Sequence, residues 1–283
     1  MNYLLILVIV IAMSLQGVAQ KQYNRKTGNK CAFLYSGVSM AVAALFFLIT
    51  SGGKLSFEIK LLPYCLAFAL FFGMSVLFTF FAVREGSLSF TSLATSYSLI
   101  IPTLSGIVLY DESVSTFFYF GLAALLVSLV LINEYKDGKK FTLKWIVYVL
   151  LAFIGNGMCS TVQTYQQHVF DGKYKSELMI IALLTVSAVL VIISLCKERK
   201  DIGICIRKGA PYMALYGIKV ALVNLLVMVL SRKMNVSIMF PLISGGGLIA
   251  TSLVSIVFYK ERLTKKQYFG LLLGVIAVVL INI

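Results

Sequence analysis

One charged side chain of this 283-residue sequence falls in the middle of a long apolar run, and it is Lys219. A buried amine needs an anion, a set of carbonyls, or a route for its stem back to water. Tyr212, Tyr216 and Lys219 follow one another at i, i+4 and i+7, so they share a helical face. Two readings stay open: contact with an anionic solute or coupling ion, or a lysine that snorkels or bonds to helix carbonyls.

Uncharged polar residues recur at the same spacing. Asn156, Ser160, Gln163 and Gln167 form a stripe, and Gln16 and Gln20 repeat its lower half earlier in the chain. Thr91, Thr95, Ser98 and Pro102 share a face, with Tyr97 beside them as an aromatic wall or a packing residue, and Ser244, Gly247 and Thr251 share another. Such groups serve as the hydrogen-bonding wall of a solute cavity or as glue between helices. Small residues favour close packing, while Pro102 and the run Ser244-Gly245-Gly246-Gly247 are places where a helix could bend. His168, the sole histidine, suits a proton relay or an interfacial position.

Other chemistry is missing. All eleven carboxylates fall in polar gaps or at run ends, which argues against exchange of protons through a buried acid. The five cysteines are scattered without metal-ligand spacing. No phosphate-binding loop and no nucleophile, base and acid set is present, so we expect no enzyme, catalytic residue, metal or cofactor.

The elements that must position these residues follow from composition. The chain is 60% hydrophobic and 13% charged, against about a quarter charged for a soluble domain. Ten apolar segments can be read, at 2–20, 31–51, 62–83, 87–109, 114–133, 145–167, 177–196, 209–231, 236–258 and 267–282. Each approaches the roughly 20 residues of a membrane-crossing helix. Without the alternation of barrel strands they read as helices. Residues Gly17-Val18-Ala19 resemble a cleavage site, but the start lacks a basic region, so the first segment reads as a span. The expected class is all-α and polytopic, in contact with lipid and a small solute. The net charge of +14 then reports orientation rather than nucleic-acid binding.

A repeat runs through the chain. Shifted by 149, Tyr110-Asp111-Glu112 lies on Tyr259-Lys260-Glu261, and Tyr119-Phe120-Gly121-Leu122 on Tyr268-Phe269-Gly270-Leu271. Val130-Leu131-Ile132-Asn133 lies on Val279-Leu280-Ile281-Asn282. Five-helix units at 1–140 and 141–283 are expected. Because five is odd, the second unit must be inverted relative to the first, as in many secondary carriers. Eighteen Lys and Arg fall in odd-numbered loops and six in even-numbered ones. The positive-inside rule therefore puts the odd loops in the cytoplasm and both termini outside.

The run from Glu261 to Gly270, followed by Leu271–Ile281, resembles the last two helices of EamA-type transporters of the drug/metabolite transporter superfamily; Glu112, Ser115 and Gly121 form a weaker first copy. The resemblance implies a small-solute carrier of the cytoplasmic membrane. Its cavity would be lined by the first, third and fourth helices of each half, with the fifth and tenth in packing roles. It also implies cytoplasmic termini, opposite to the charge count. On this reading the substrate-binding candidates are Lys219, Tyr216, Gln16, Gln20, Asn156, Gln163, Gln167, Tyr97, Ser98 and Ser244. The expected function is movement of a small anionic or zwitterionic metabolite by alternating access, in the direction of export. The alternative is a lipid-linked-sugar flippase or an accessory membrane subunit. Glu112 and Glu261 read as turn residues, and Thr264 with Gln267 as a capping box. Gly270-x-x-x-Gly274 would pack within the bundle or hold a homodimer.

Overall fold

The computed structural model describes residues 2–28, 30–85, 91, 95–132, 142–259 and 264–281, with the backbone alone at 14–18, 20, 21, 83, 84, 132, 248 and 251–259. Among the described residues the chain forms ten α-helices and no strand. They are α1 (Asn2–Thr27), α2 (Ala32–Thr50), α3 (Leu62–Glu85), α4 (Ile100–Tyr110), α5 (Thr116–Ile132), α6 (Leu143–Val169), α7 (Lys175–Lys197), α8 (Ile202–Leu230), α9 (Val236–Tyr259) and α10 (Lys265–Ile281). Helices α2, α3, α6, α7 and α8 each have the length and apolarity to cross a bilayer. Their outward faces carry Leu48, Leu66, Leu70, Ile154, Ile192 and Ile218, all exposed, as helices bathed in lipid require.

Helix pairing follows a rule. Helices α2 and α7 pack on each other, as do α4 and α9, and α5 and α10. Most of the remaining large interfaces come in couples: α3 on α6 with α8 on α1, α4 on α6 with α9 on α1, and α2 on α8 with α7 on α3, while α9 on α10 has no such counterpart among the described residues. Exchanging helix n for helix n+5 turns each member of a couple into the other. Chain direction obeys the same exchange. Ser187 Oγ donates to the Gly37 carbonyl at 2.7 Å, while Glu198, further along α7, receives the backbone N–H groups of Phe33 and Leu34 at 3.1 and 3.0 Å. Helices α2 and α7 are thus antiparallel. So are α5 and α10, where Ser128 Oγ donates to the Gly270 carbonyl at 2.7 Å and Gly121 lies against Ala277 and Ile281. That last pair of contacts is related by the 149-residue shift, which carries 128 onto 277 and 121 onto 270.

Glycines set the closest approaches. A Cβ on Gly155 would lie 2.7 Å from the Phe71 carbonyl oxygen and the Ser75 nitrogen, so α6 and α3 meet backbone to backbone. Gly217 meets the Ser39 carbonyl of α2 in the same way. Gly270 and Gly274 are buried, and α5 takes their face, so this motif serves packing within the chain. Gly245 packs against Val278 and Leu125, and Gly246 against Val10, so the glycine run of α9 is a contact surface.

Two helices outrun the apolar segments that announce them. Helix α1 continues to Thr27 and α8 begins at Ile202. These polar extensions pack on each other: Tyr23 lies over Gly209, and Cys31, Leu34, Cys205 and Met213 close the cluster. Lys30 pairs with Asp201 at 2.9 Å, and that bond raises the lysine above its ordinary value. Hydropathy misses these turns because Arg25, Lys26, Arg207 and Lys208 interrupt the apolar pattern, while only one face, carrying Tyr23, Cys205 and Gly209, is buried against protein. Every ion pair described between different loops joins loops of the same parity: Lys30 with Asp201, Lys144 with Glu85, and Arg232 with Asp171.

The turn residues behave as read. Glu112 accepts the N–H groups of Val236 and Ser237 at 2.7 and 2.8 Å, capping the first turn of α9. Gln267 Oε1 accepts from the Thr264 N–H at 2.8 Å while Thr264 Oγ1 accepts from the Gln267 N–H at 3.3 Å, a reciprocal capping box. Glu261 lies outside the described residues.

Candidate functional site

The polar stripe of α6 is occupied by bonds within the protein. Proline at 102 has no N–H to give and crowds the carbonyl four residues back. The helical run Thr95–Tyr110 is interrupted at Ser98 and Leu99, one turn before it. Asn156 fills the break: its Nδ2 donates to Ser98 Oγ at 2.5 Å and to the Thr95 carbonyl at 3.4 Å. Ser160 Oγ donates to the Asn156 carbonyl at 3.2 Å. Gln163 Nε2 donates to the Asn224 carbonyl on α8 at 2.9 Å. Gln167 is fully buried; its Nε2 donates to Gln166, while its Oε1 has no partner among the described residues. Asn156, Ser98 and Gln163 thus bridge α4, α6 and α8.

Tyr97 points elsewhere. Its hydroxyl donates to the Leu126 carbonyl of α5 at 2.8 Å, and its ring packs with Leu99 and Leu129. Ser244 is half-buried on α9. Gln16 and Gln20 belong to the positions where only the backbone is described.

A second polar group lies between α1, α2 and α8. The rings of Tyr23 and Tyr35 are 4.4 Å apart, those of Tyr35 and Tyr216 are 5.2 Å apart, and the Lys219 ammonium lies 5.6 Å from the centre of the Tyr216 ring. The last separation is within the range of a cation–π contact. Tyr23 donates its hydroxyl to the carbonyls of Lys30 and Cys31. Tyr35 does not share that satisfaction: only 5% exposed, its hydroxyl has no hydrogen-bond partner among the described residues. Tyr35 and Asn224 were not among the candidates read from sequence. Tyr35 sits on a different helix from its neighbours, and Asn224 receives Gln163 through its backbone, so periodicity along one helix finds neither.

His168 belongs to a cluster at the even-loop end. Its ring stacks on Tyr110 at 3.9 Å, and its Nδ1 is 3.4 Å from an Arg232 nitrogen. Arg232 pairs in turn with Asp171. Tyr110 and Thr164 join their hydroxyls at 3.3 Å.

A cleft of about 360 Å³ opens between α3, α4 and α6. Pro63, Tyr64, Ala67, Leu109, Met158 and Tyr165 are among its lining residues, which include no charge and none of the candidates above. Helices α3 and α4 both pack on α6, and the cleft is the gap above it.

A helical bundle of antiparallel equivalent helices with polar groups bridged through its interior defines a class, the multi-pass membrane proteins. The chain belongs to the EamA-like transporter family, whose sequence model matches residues 143–283, and with it to the drug/metabolite transporter superfamily. Among solved structures, a crystal structure described only as that of a protein is similar in fold, with a TM-score of 0.75 at 12% identity over 99% of this chain and 95% of the other. No curated protein matches the chain.

Proposed function

We propose that the chain is a secondary carrier in the cytoplasmic membrane that moves a small anionic or zwitterionic metabolite by alternating access, in the direction of export. The observation that carries this reading is Lys219, an amine at the centre of α8 inside a bundle whose family is one of transporters. The five-helix units 1–140 and 141–283 rock against each other as inverted repeats. The exchange of n for n+5 in helix pairing and direction supports that division. Lys219 and Tyr216 contact the solute from α8, with Gln16, Gln20, Gln163, Gln167 and Ser244 contributing polar wall. Asn156 and Ser98 hold the broken helix beside it. No cofactor takes part.

Reconstituted protein should move a metabolite across proteoliposome membranes, and Lys219→Ala should lose at least nine-tenths of that flux. Equal flux in the variant removes Lys219 from the mechanism. The charge count puts the C-terminus outside. A reporter fused after Ile283 should therefore be active outside the cytoplasm, and cytoplasmic activity reverses the orientation.

One observation favours a second reading, a flippase for lipid-linked substrates. The apolar cleft between α3 and α4 would admit a chain from the bilayer. Scrambling of a fluorescent lipid in the same vesicles, blocked by Ala67→Trp, would select it.

A further inference from the structure

We infer that His168 is a proton-binding site that latches the two halves of the chain together at the even-loop end: its neutral imidazole holds α4 against α6, and a proton on Nδ1 releases them. The latch itself needs no solute, while its use as a gate rests on the carrier reading above.

The contact between His168 and Arg232 admits one protonation state. A guanidinium carries donors and no acceptor, so it bonds a ring nitrogen through that nitrogen's lone pair. An Arg232 nitrogen lies 3.4 Å from His168 Nδ1. The ring is therefore neutral, with its proton on Nε2. An incoming proton competes with Arg232 for the Nδ1 lone pair: the new N–H bond forms, the hydrogen bond from Arg232 breaks, and two cations stand side by side. Arg232 is not free to withdraw, because Asp171 holds its other terminal nitrogen.

The surroundings do little for an imidazolium. Its Nε2 is buried and has no hydrogen-bond partner among the described residues, and the Ser231 carbonyl faces the ring without closing a bond to that atom. Glu112 is the carboxylate whose charge reaches the ring, and both its oxygens already accept the N–H groups of Val236 and Ser237. Lys175 on α7 adds to the positive charge around Arg232. Tyr110 stacks on the imidazole at 3.9 Å and 12°, and its face attracts a cation. That attraction is to a ring quadrupole and is weaker than the repulsion between two full charges. The charged ring thus gains most by turning to water and leaving the stack.

This stack joins the halves. Tyr110 ends α4, in the first unit, and His168 lies in the last turn of α6, in the second. Once the ring leaves, Tyr110 keeps its 3.3 Å hydroxyl contact with Thr164. The helical run that contains α4 is interrupted at Ser98 and Leu99, so the piece from Ile100 to Tyr110 can tilt as a unit. On the orientation proposed above, this end faces outside, and external acid opens the carrier outward.

Hydrogen exchange on the full-length protein, corrected for the intrinsic effect of pH, tests the latch in peptides covering 107–112 and 161–169. Protection there should fall about tenfold between about pH 8 and about pH 5, while the α2–α7 interface stays protected. His168→Asn keeps an acceptor close to the Nδ1 position and takes no proton, so it should stay protected at both pH values. His168→Lys carries the charge permanently and should exchange fast at both. Arg232→Gln removes the opposing cation and should shrink the change to less than about threefold. Glu112→Gln should keep the change. No change in the wild type, a wild-type change in His168→Asn, or a change abolished by Glu112→Gln would each overturn the proposal. If His168→Lys also exchanges fast across α2 and α7 it has lost the fold, and the Asn and Gln variants decide. Uptake that proceeds in a protein with no latch would leave the carrier reading standing. A latch that opens in a protein that moves no solute would remove the carrier reading and keep the proton site.

Discussion

The two halves of the chain share a scaffold and differ in what they bury. Position 71 in α3 and position 219 in α8 correspond, yet one is Phe and the other Lys. Phe71 packs among core residues, whereas Lys219 lies against the Tyr216 ring. Around the α5–α10 pair, by contrast, the halves agree contact for contact: Ser128 meets Gly270 as Gly121 meets Ala277. Features kept in both halves maintain the bundle, since an inverted pair of units needs the same interfaces twice. Features present once are free of that requirement, and a residue that costs as much as a buried amine is retained there for another reason.

The largest expected effect comes from erasing the asymmetry. Lys219→Phe gives α8 the residue that α3 already carries. Flux should fall at least tenfold while the melting temperature stays the same or rises, because an aromatic in an apolar interior is cheaper than a charge. The reverse change, Phe71→Lys, should lower the melting temperature without creating transport. If Lys219→Phe unfolds the protein, the amine is structural and the contrast between halves loses its functional meaning.

The break in the fourth helix is a second feature present once. Pro102 corresponds to Thr251 in α9; the Ser98 carbonyl, four residues before the proline, accepts from the Ile101 N–H instead, and Asn156 bonds the Ser98 hydroxyl and the Thr95 carbonyl beside the break. Asn156→Ala should destabilise by about 1–2 kcal/mol, the upper range for an interhelical bond in a membrane. In a Pro102→Ala background the same change should cost less than half as much, because a restored bond from the N–H at 102 to the Ser98 carbonyl lets the turn regularise and satisfy the Thr95 carbonyl within the helix. Thermal denaturation of the four proteins measures this coupling. Equal costs in both backgrounds would mean that Asn156 does not serve the break.

How far the sequence alone reaches follows the same division. The five long spans, the repeat register and the capping turns could be read, because each is written along one stretch of chain: apolar run length, a shift of 149, a Thr264-to-Gln267 spacing. Partners across helices could not. Asn156, Ser160, Gln163 and Gln167 read equally as a cavity wall or as glue. What bonds three of them are carbonyls, at Thr95, Asn156 and Asn224, which every residue owns. Tyr97 shared a helix with the right neighbours and still turned toward α5. The Tyr23, Tyr35 and Tyr216 ladder draws one ring from each of three helices, so no single periodicity announces it.

A smaller effect is expected at a capping acid. Glu112 holds the first turn of α9 through two N–H groups. Glu112→Gln keeps one acceptor oxygen and removes the charge, and should cost about 1 kcal/mol. Since the contact ties the first half to the second at the even-loop end, the loss should also appear as faster hydrogen exchange in the first turn of α9. Unchanged exchange there would make the contact incidental.

The smallest effect tests the symmetric side of the comparison. Ser128 donates to the Gly270 carbonyl, and its counterpart at 277 is Ala, buried against Gly121. Ser128→Ala should cost about 0.6 kcal/mol, the average for a polar contact between membrane helices. The pseudo-twofold relation places the Gly121 carbonyl opposite 277 as the Gly270 carbonyl stands opposite 128. Ala277→Ser, which adds a single oxygen, should therefore supply the missing bond from the other half and bring the Ser128→Ala protein back toward the wild-type melting temperature. A serine at any other buried position of α10 has no such carbonyl and should destabilise instead. Rescue confined to 277 would show that the two halves exchange roles at this interface, while the single amine on α8 has no counterpart to exchange with.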